Sequence, residues 1–281
     1  MQPLAHAAQR RAGGDLHVVV AAAAWLGRQR PRPCRSGQQL RGGRLGGQVT
    51  LDGVRAAEHF APAELRPDTP VGLWGYSGGG FSTAWAAELQ PSYAPELNVV
   101  GSAEGGVPAD FNDLINANKG SGAFGLVFAA AVGLSREYPA MGLNSLLNPR
   151  GLQLQNQIST LCVGQLLTVA PGLSFNDLTK DPNALDLPQV RDAIKANTPG
   201  QNKPGAPVLL YHSAIDNAVP VKSADELAAS YCAMGATVDY QRSSFTADHV
   251  LVAILGIPSV LGFFEARFAG APPVSTCALT A

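Results

Sequence analysis

The pentapeptide Gly75-Tyr76-Ser77-Gly78-Gly79 is the part of this sequence best suited to chemistry. A serine hydroxyl is a weak nucleophile until a base takes its proton, and the base needs an acid to orient it. A turn tight enough to project the hydroxyl requires small residues two positions away on each side, because Cβ atoms there would collide. Gly75 and Gly79 meet that requirement. The backbone N–H of Gly78, at the start of a helix, points where negative charge would grow on an attacked carbonyl oxygen. The competing reading is a glycine-rich phosphate loop. Such a loop needs Lys-Ser or Lys-Thr after its glycines, and here Phe81-Ser82 follows Gly80.

The histidines are His6, His17, His59, His212 and His249. Where the nucleophile sits on a strand-to-helix turn, acid and then histidine follow it along the chain. Only His212 and His249 come after Ser77. His212 falls inside an apolar strand and reads as a core residue. His249 falls in a loop beyond the last strand and is the candidate base, with a solvent-facing loop histidine as the alternative. Asp216 follows the strand Val208 to Tyr211, at the carboxyl edge where substrates bind in such sheets. It is the candidate acid, with a surface-turn aspartate as the alternative. Asp225 reads as helical and Asp239 as part of a strand. The side chain of Asp248, adjacent to His249, would diverge from the imidazole.

These residues need a scaffold. Val71 to Trp74 is a short apolar run suited to a buried strand, and Phe81 to Leu89 is helical in composition, with Pro91 marking its end. Leu97 to Gly101 reads as another strand, closed by Glu104-Gly105-Gly106. Residues 111–200 hold helical apolar stretches and no clear strand, which predicts an inserted cap or lid. Strand character returns at Pro207 to His212 and at Thr237 to Tyr240, with helices at Ala224 to Met234, where Gly235 is placed to end the helix, and at Pro258 to Phe268. The order predicts an α/β fold, a mostly parallel sheet flanked by helices.

The N-terminal 48 residues are different. Eight of the fifteen arginines lie between Arg10 and Arg44, and Asp15 is the one acidic residue before Asp52. Gly27 to Gln48 lacks apolar periodicity and predicts loop or disorder. An amphipathic helix begins near Leu51. Val18 to Leu26 suits either a signal-peptide core or a buried strand. Net charge is -1, which argues against nucleic acid as a partner of the whole chain. The four cysteines, Cys34, Cys162, Cys232 and Cys277, form no C-x-x-C pair, so no zinc or other metal site and no cofactor are expected.

Beyond these patterns, the sequence resembles a known family. Val71-Gly72-Leu73-Trp74-Gly75-Tyr76-Ser77-Gly78-Gly79, Trp85-Ala86-Ala87-Glu88-Leu89, Tyr93-Ala94-Pro95-Glu96-Leu97-Asn98 and Gly105-Gly106 resemble the secretory lipases, the lipase A type of α/β-hydrolase. Leu51-Asp52-Gly53-Val54-Arg55-Ala56, Tyr211-His212 leading to Asp216, Val219-Pro220, His249, Ile257-Pro258-Ser259 and Arg267-Phe268-Ala269-Gly270 fit the same family. The likeness covers about residues 49 to 281. It implies an α/β-hydrolase fold with a helical lid, secretion, and hydrolysis of acylglycerol-type esters by Ser77, Asp216 and His249, with Gly78 in the oxyanion hole. It also implies a Cys232–Cys277 disulfide, and an upstream partner for Cys162 that Cys34 matches poorly.

The family carries several strands before the helix at Leu51 and a second oxyanion donor in an early loop. Residues 1–48 depart from that pattern and read as an atypical or truncated, poorly ordered segment. The expected partners are a lipid or small ester substrate and transiently a lipid interface, with no obligate protein partner. A peptidase or amidase with the same triad, or a catalytically impaired lipase-like protein, are the other readings.

Overall fold

Apolar runs flanked by glycine and proline pack as a central sheet. The computed structural model describes residues 5–10, 16–22 and 42–279. Among the described residues six strands, β1 (Ala5–Arg10), β2 (Leu16–Ala22), β3 (Val71–Tyr76), β4 (Val99–Gly105), β5 (Val208–Ser213) and β6 (Val238–Ser243), lie side by side in chain order. β1 runs antiparallel to β2, and every later pairing is parallel.

The helices are α1 (Gly43–Glu58), α2 (Gly78–Tyr93), α3 (Phe111–Asn118), α4 (Phe124–Glu137), α5 (Leu143–Leu146), α6 (Pro149–Ile158), α7 (Val163–Leu166), α8 (Pro188–Ala196), α9 (Val221–Ala233), α10 (His249–Leu255) and α11 (Ile257–Phe268). The chain divides into two compact units. One contains the sheet with Gly46–Ala109 and the chain from Pro199 on, and the other contains Asp110–Thr198.

In the sheet unit, alternate residues of each strand serve opposite faces. Leu209 and Tyr211 of β5 join Ala103, Val260 and Phe264 under α11. Val208 and Leu210 point the other way, into a cluster with Ala84 of α2 and Leu227, Ala228 and Tyr231 of α9. On that same face Leu51 and Val54 of α1 pack with Leu73, Trp85 and Leu89. In the helical unit, Phe124 and Phe128 of α4 meet Phe175 with ring centroids 5.3 and 5.9 Å apart. Asp110 and Asn148 cap α3 and α6 by accepting from amides of the first turn. Its one β-like contact among the described residues is a bridge between Leu147 and Thr179.

Several elements differ from the sequence expectation. β2 occupies Leu16–Ala22, so the strand alternative holds over that stretch, while residues 23–26 and the Arg-rich run 27–41 lie outside the described residues. α1 begins at Gly43, eight residues before Leu51, in a stretch whose glycines suggested a loop. Those glycines serve packing instead. A Cβ at Gly47 would stand 2.7–2.9 Å from Trp85 and the Ala86 nitrogen, and one at Gly46 would stand 2.7 Å from Ser82 Oγ. Bare backbone at these positions lets the helix lie against α2.

The third difference is that α2 continues past Pro91 to Tyr93. Proline has no N–H for the carbonyl four residues back. The Gly205 N–H donates to that Ala87 carbonyl at 3.3 Å, so the last turn keeps its partner. Lastly, β4 runs to Gly105 and carries Glu104 into the sheet, fully buried, where Ser102 Oγ donates to its carboxyl at 2.9 Å.

Candidate active site

β3 delivers its last residue, Tyr76, directly to Ser77, and α2 starts at Gly78. Ser77 adopts φ 54 and ψ -123; the one other non-glycine residue with positive φ among those described is Glu64. Such a conformation costs about 1–3 kcal/mol and persists only where the surroundings impose it. They do so here. The Ser77 N–H donates to Gly105 O of β4 at 2.8 Å, and Ser77 O accepts from Phe81 N–H at 2.9 Å. Gly75 permits the turn, since a Cβ there would overlap the Gly79 carbonyl. Gly78 occupies the first helical position, where backbone N–H groups have no intrahelical acceptor, and nothing lies within 4 Å of a Cβ built on it.

Asp216 lies three residues past β5, in a turn folded around its own side chain. Its Oδ1 accepts from the Ala218 and Val219 N–H groups, each at 2.8 Å. Its Oδ2 accepts from His249 Nδ1 at 2.7 Å. Burial alone would raise the Asp216 pKa. The bond from His249, the nearness of that ring and the two amides outweigh burial and hold the carboxyl below the ordinary aspartate range. Asp216 therefore stays ionised and holds the imidazole by Nδ1, with Nε2 as the ring nitrogen left over. His249 Nε2 is buried and has no hydrogen-bond partner among the described residues.

Asp216 and His249 are thus joined, whereas the Ser77 hydroxyl is not bonded to the His249 ring. His249 was expected in a loop. It is the first residue of α10, and Asp248 is the N-cap, its Oδ1 accepting from Leu251 N–H at 2.8 Å. The Asp248 carboxylate is thus taken up by the cap, while Asp216 is the carboxylate that meets His249. His212 is buried, as expected of a core residue, but stands 3.7 Å from Asp216 Oδ2. Its Nε2 donates to the Val219 carbonyl at 2.9 Å, and burial lowers its pKa, which keeps a second positive charge away from the acid.

Sequence reasoning gave no role to Tyr76 or Gly106. Tyr76 Oη donates to the His249 carbonyl at 2.6 Å, and its ring centroid lies 5.0 Å from that of the imidazole. The only signal was position, between Gly75 and Ser77. Cys232 of α9 is bonded to Cys277, with Cα atoms 5.4 Å apart. Cys162 is also disulfide-bonded, and Cys34 lies outside the described residues.

Residues 39–276 match the secretory lipase family. A secreted triacylglycerol lipase of Malassezia furfur is 33% identical over 239 residues, which cover 82% of this chain and 63% of that protein. A Mycobacterium tuberculosis protein named "probable inactive lipase" is 34% identical over 230 residues, covering 80% and 51%. The X-ray structure of Candida antarctica lipase A in its closed state matches with a TM-score of 0.77 at 31% identity, covering 83% of this chain and 58% of that one. The chain spans about half the length of the curated relatives it matches. Its sheet and flanking helices are those of the α/β-hydrolase fold. By its sequence and by its fold, the chain belongs to the secretory lipase family.

Proposed function

We propose that the chain hydrolyses carboxylic esters of the acylglycerol type, with Ser77 as nucleophile, His249 as base and Asp216 as acid. The observation that carries this reading is the anchored imidazole. Asp216 holds His249 by Nδ1, leaving Nε2 free, and the serine is on a strained elbow at the end of β3. In the first step Ser77 Oγ attacks the ester carbonyl carbon while His249 Nε2 takes its proton. The oxygen that becomes negative faces the Gly78 N–H. The intermediate collapses, the alcohol leaves with the proton from His249, and the acyl group remains on Ser77. Water then gives its proton to His249 and attacks the acyl carbon, and Ser77 departs with the proton. The negative Asp216 stabilises the imidazolium that forms in both halves.

Hydrolysis of p-nitrophenyl butyrate by the protein and by Ser77→Ala tests the reading. The variant is expected to fall to the rate of buffer, and equal rates would remove the assignment. A second reading, a folded but catalytically impaired chain, draws on the unbonded His249 Nε2. Labelling with a fluorophosphonate separates the two, because the probe needs an activated serine and no particular ester.

The helical stretch Asp110–Thr198 enters the chain between β4 and β5, and its proposed role is the cap. The substrate is a lipid or small ester, handled outside the cell as the names of the relatives suggest. The exposed apolar residues Val250, Ile254, Leu255 and Leu261 of α10 and α11 support contact with a lipid surface.

A further inference from the structure

The base and the nucleophile come from different elements. His249 opens a seven-residue helix and follows a loop whose Phe245 is 80% exposed. The nucleophile directly follows β3, a strand paired with β2 and β4. The link between the two sides is Tyr76. Covalently it precedes Ser77, and non-covalently it reaches His249 twice. Its hydroxyl donates to the His249 carbonyl at 2.6 Å, and its ring lies 5.0 Å from the imidazole at an angle of 45°. A carbonyl oxygen can only accept, so the phenol must be the donor and must stay protonated. Burial, with Asp216, Tyr211 and Asp248 nearby, disfavours its ionised form.

Gly106 provides a second, separate observation. It has φ 54, and a Cβ there would lie 2.6 Å from Tyr76 Cζ, 2.8 Å from Tyr76 Oη and 2.9 Å from His249 Cε1. The two rings therefore meet over a gap that only glycine leaves open. Gly106 is itself fixed, since its N–H donates to Tyr211 O of β5 at 3.0 Å. The Tyr211 ring backs Tyr76 at 5.9 Å, and Trp74 Nε1 donates to Tyr211 Oη at 3.1 Å. Tyr76 thus has support behind it and the base in front.

We infer that Tyr76 is a positioning residue for His249: a strut from the nucleophile's own strand that sets where the imidazole stands relative to Ser77, with Gly106 as the socket that admits both rings. The inference rests on the esterase reading only for its effect on rate. The placement of His249 is measurable without turnover.

The test uses Tyr76→Phe, which removes one hydroxyl and keeps the ring. With p-nitrophenyl butyrate, kcat should fall about 5- to 20-fold, as for loss of one bond of about 1–1.8 kcal/mol. KM should stay within twofold, because the phenol positions the base and does not bind the ester. In the Ser77→Ala background, the imidazole resonances of His249 by nitrogen-15 NMR should move and broaden when Tyr76→Phe is added. Gly106→Ala, which presses on the same contact from the other side, should lower kcat in the same direction, with folding checked by circular dichroism.

Unchanged His249 resonances in Tyr76→Phe would overturn the inference, whatever the rate. Parental kcat in an active protein, or a loss confined to KM, would do the same. If the parent has no esterase activity, the proposed function fails, and the resonance comparison alone decides the positioning role.

Discussion

Glu104 shows how a single residue can make the stability of this fold depend on pH. It is fully buried in β4, and burial pushes its carboxyl up to about 8 despite the bond from Ser102. Its Oε2 has no hydrogen-bond partner among the described residues. In an unfolded chain a glutamate loses its proton near pH 4.3. Between about 4.3 and about 8 the folded state therefore holds a proton that the unfolded state has released, and stability must fall as pH rises through that window. Asp216 has the opposite sign. Its carboxyl is held low, so its contribution is present at neutral pH and is lost as acid protonates it. Glu104→Gln removes the first titration and keeps the shape. Melting curves between pH 5 and 8 should show a shallower decline for the variant, and parallel declines would assign the effect elsewhere. Little of this was legible in the sequence. The apolar run was read as ending at Gly101, and a glutamate beside two glycines suggests a strand's end rather than its centre. The turn at Ser77 and the Asp216–His249 pair were legible because the proposed chemistry requires a chain order as well as residue types. The phenol of Tyr76 has no such requirement and gave no signal.

At the scale of elements, glycine was the residue most easily misread. Gly46 and Gly47 suggested loop by composition, yet they let α1 lie on α2. Gly47→Ala should gain up to about 1 kcal/mol in helix propensity. It should lose more to the clash with the Trp85 and Ala86 backbone, where overpacking costs about 1–3 kcal/mol. Urea unfolding is expected to give a lower midpoint, and an unchanged or higher one would mean that α1 shifts away freely. Pro91 was misread for a similar reason. The rule that proline ends a helix assumes that the orphaned carbonyl stays orphaned, and Gly205, far along the chain, supplies the missing donor. The reverse occurred at α10. Asp248 before an apolar run is a helix-start signal, and it caps α10 where a loop was expected. Elements defined by their own periodicity, such as β3, β5 and α9, were read within one to three residues, because nothing distant decides them.

At the scale of the whole molecule, the Cys232–Cys277 bond ties α9 to the chain beyond α11, across a separation of 45 residues. In the chain-entropy account, closing such a loop stabilises by about 4 kcal/mol. Cys232→Ser with Cys277→Ser should therefore lower the melting temperature by several degrees, and an unchanged melt would mean that the unfolded chain is already compact there. No spacing rule gave this pairing; family resemblance did, since four cysteines allow several connectivities.

The order of the strands has a further consequence, for the protein's birth. Because β1 to β6 lie side by side in the order of the sequence, each new strand can add to the edge left by the one before as the chain leaves the ribosome. Its longest wait lies between β4 and β5. After β4 emerges, the whole of Asp110–Thr198 must be translated before β5 exists. At typical synthesis rates this pause lasts roughly 5 to 20 seconds. Through it the β4 edge, with Glu104 not yet enclosed, offers its unpaired backbone to any other chain nearby. Nascent chains held at that length are the ones chaperones would have most reason to bind.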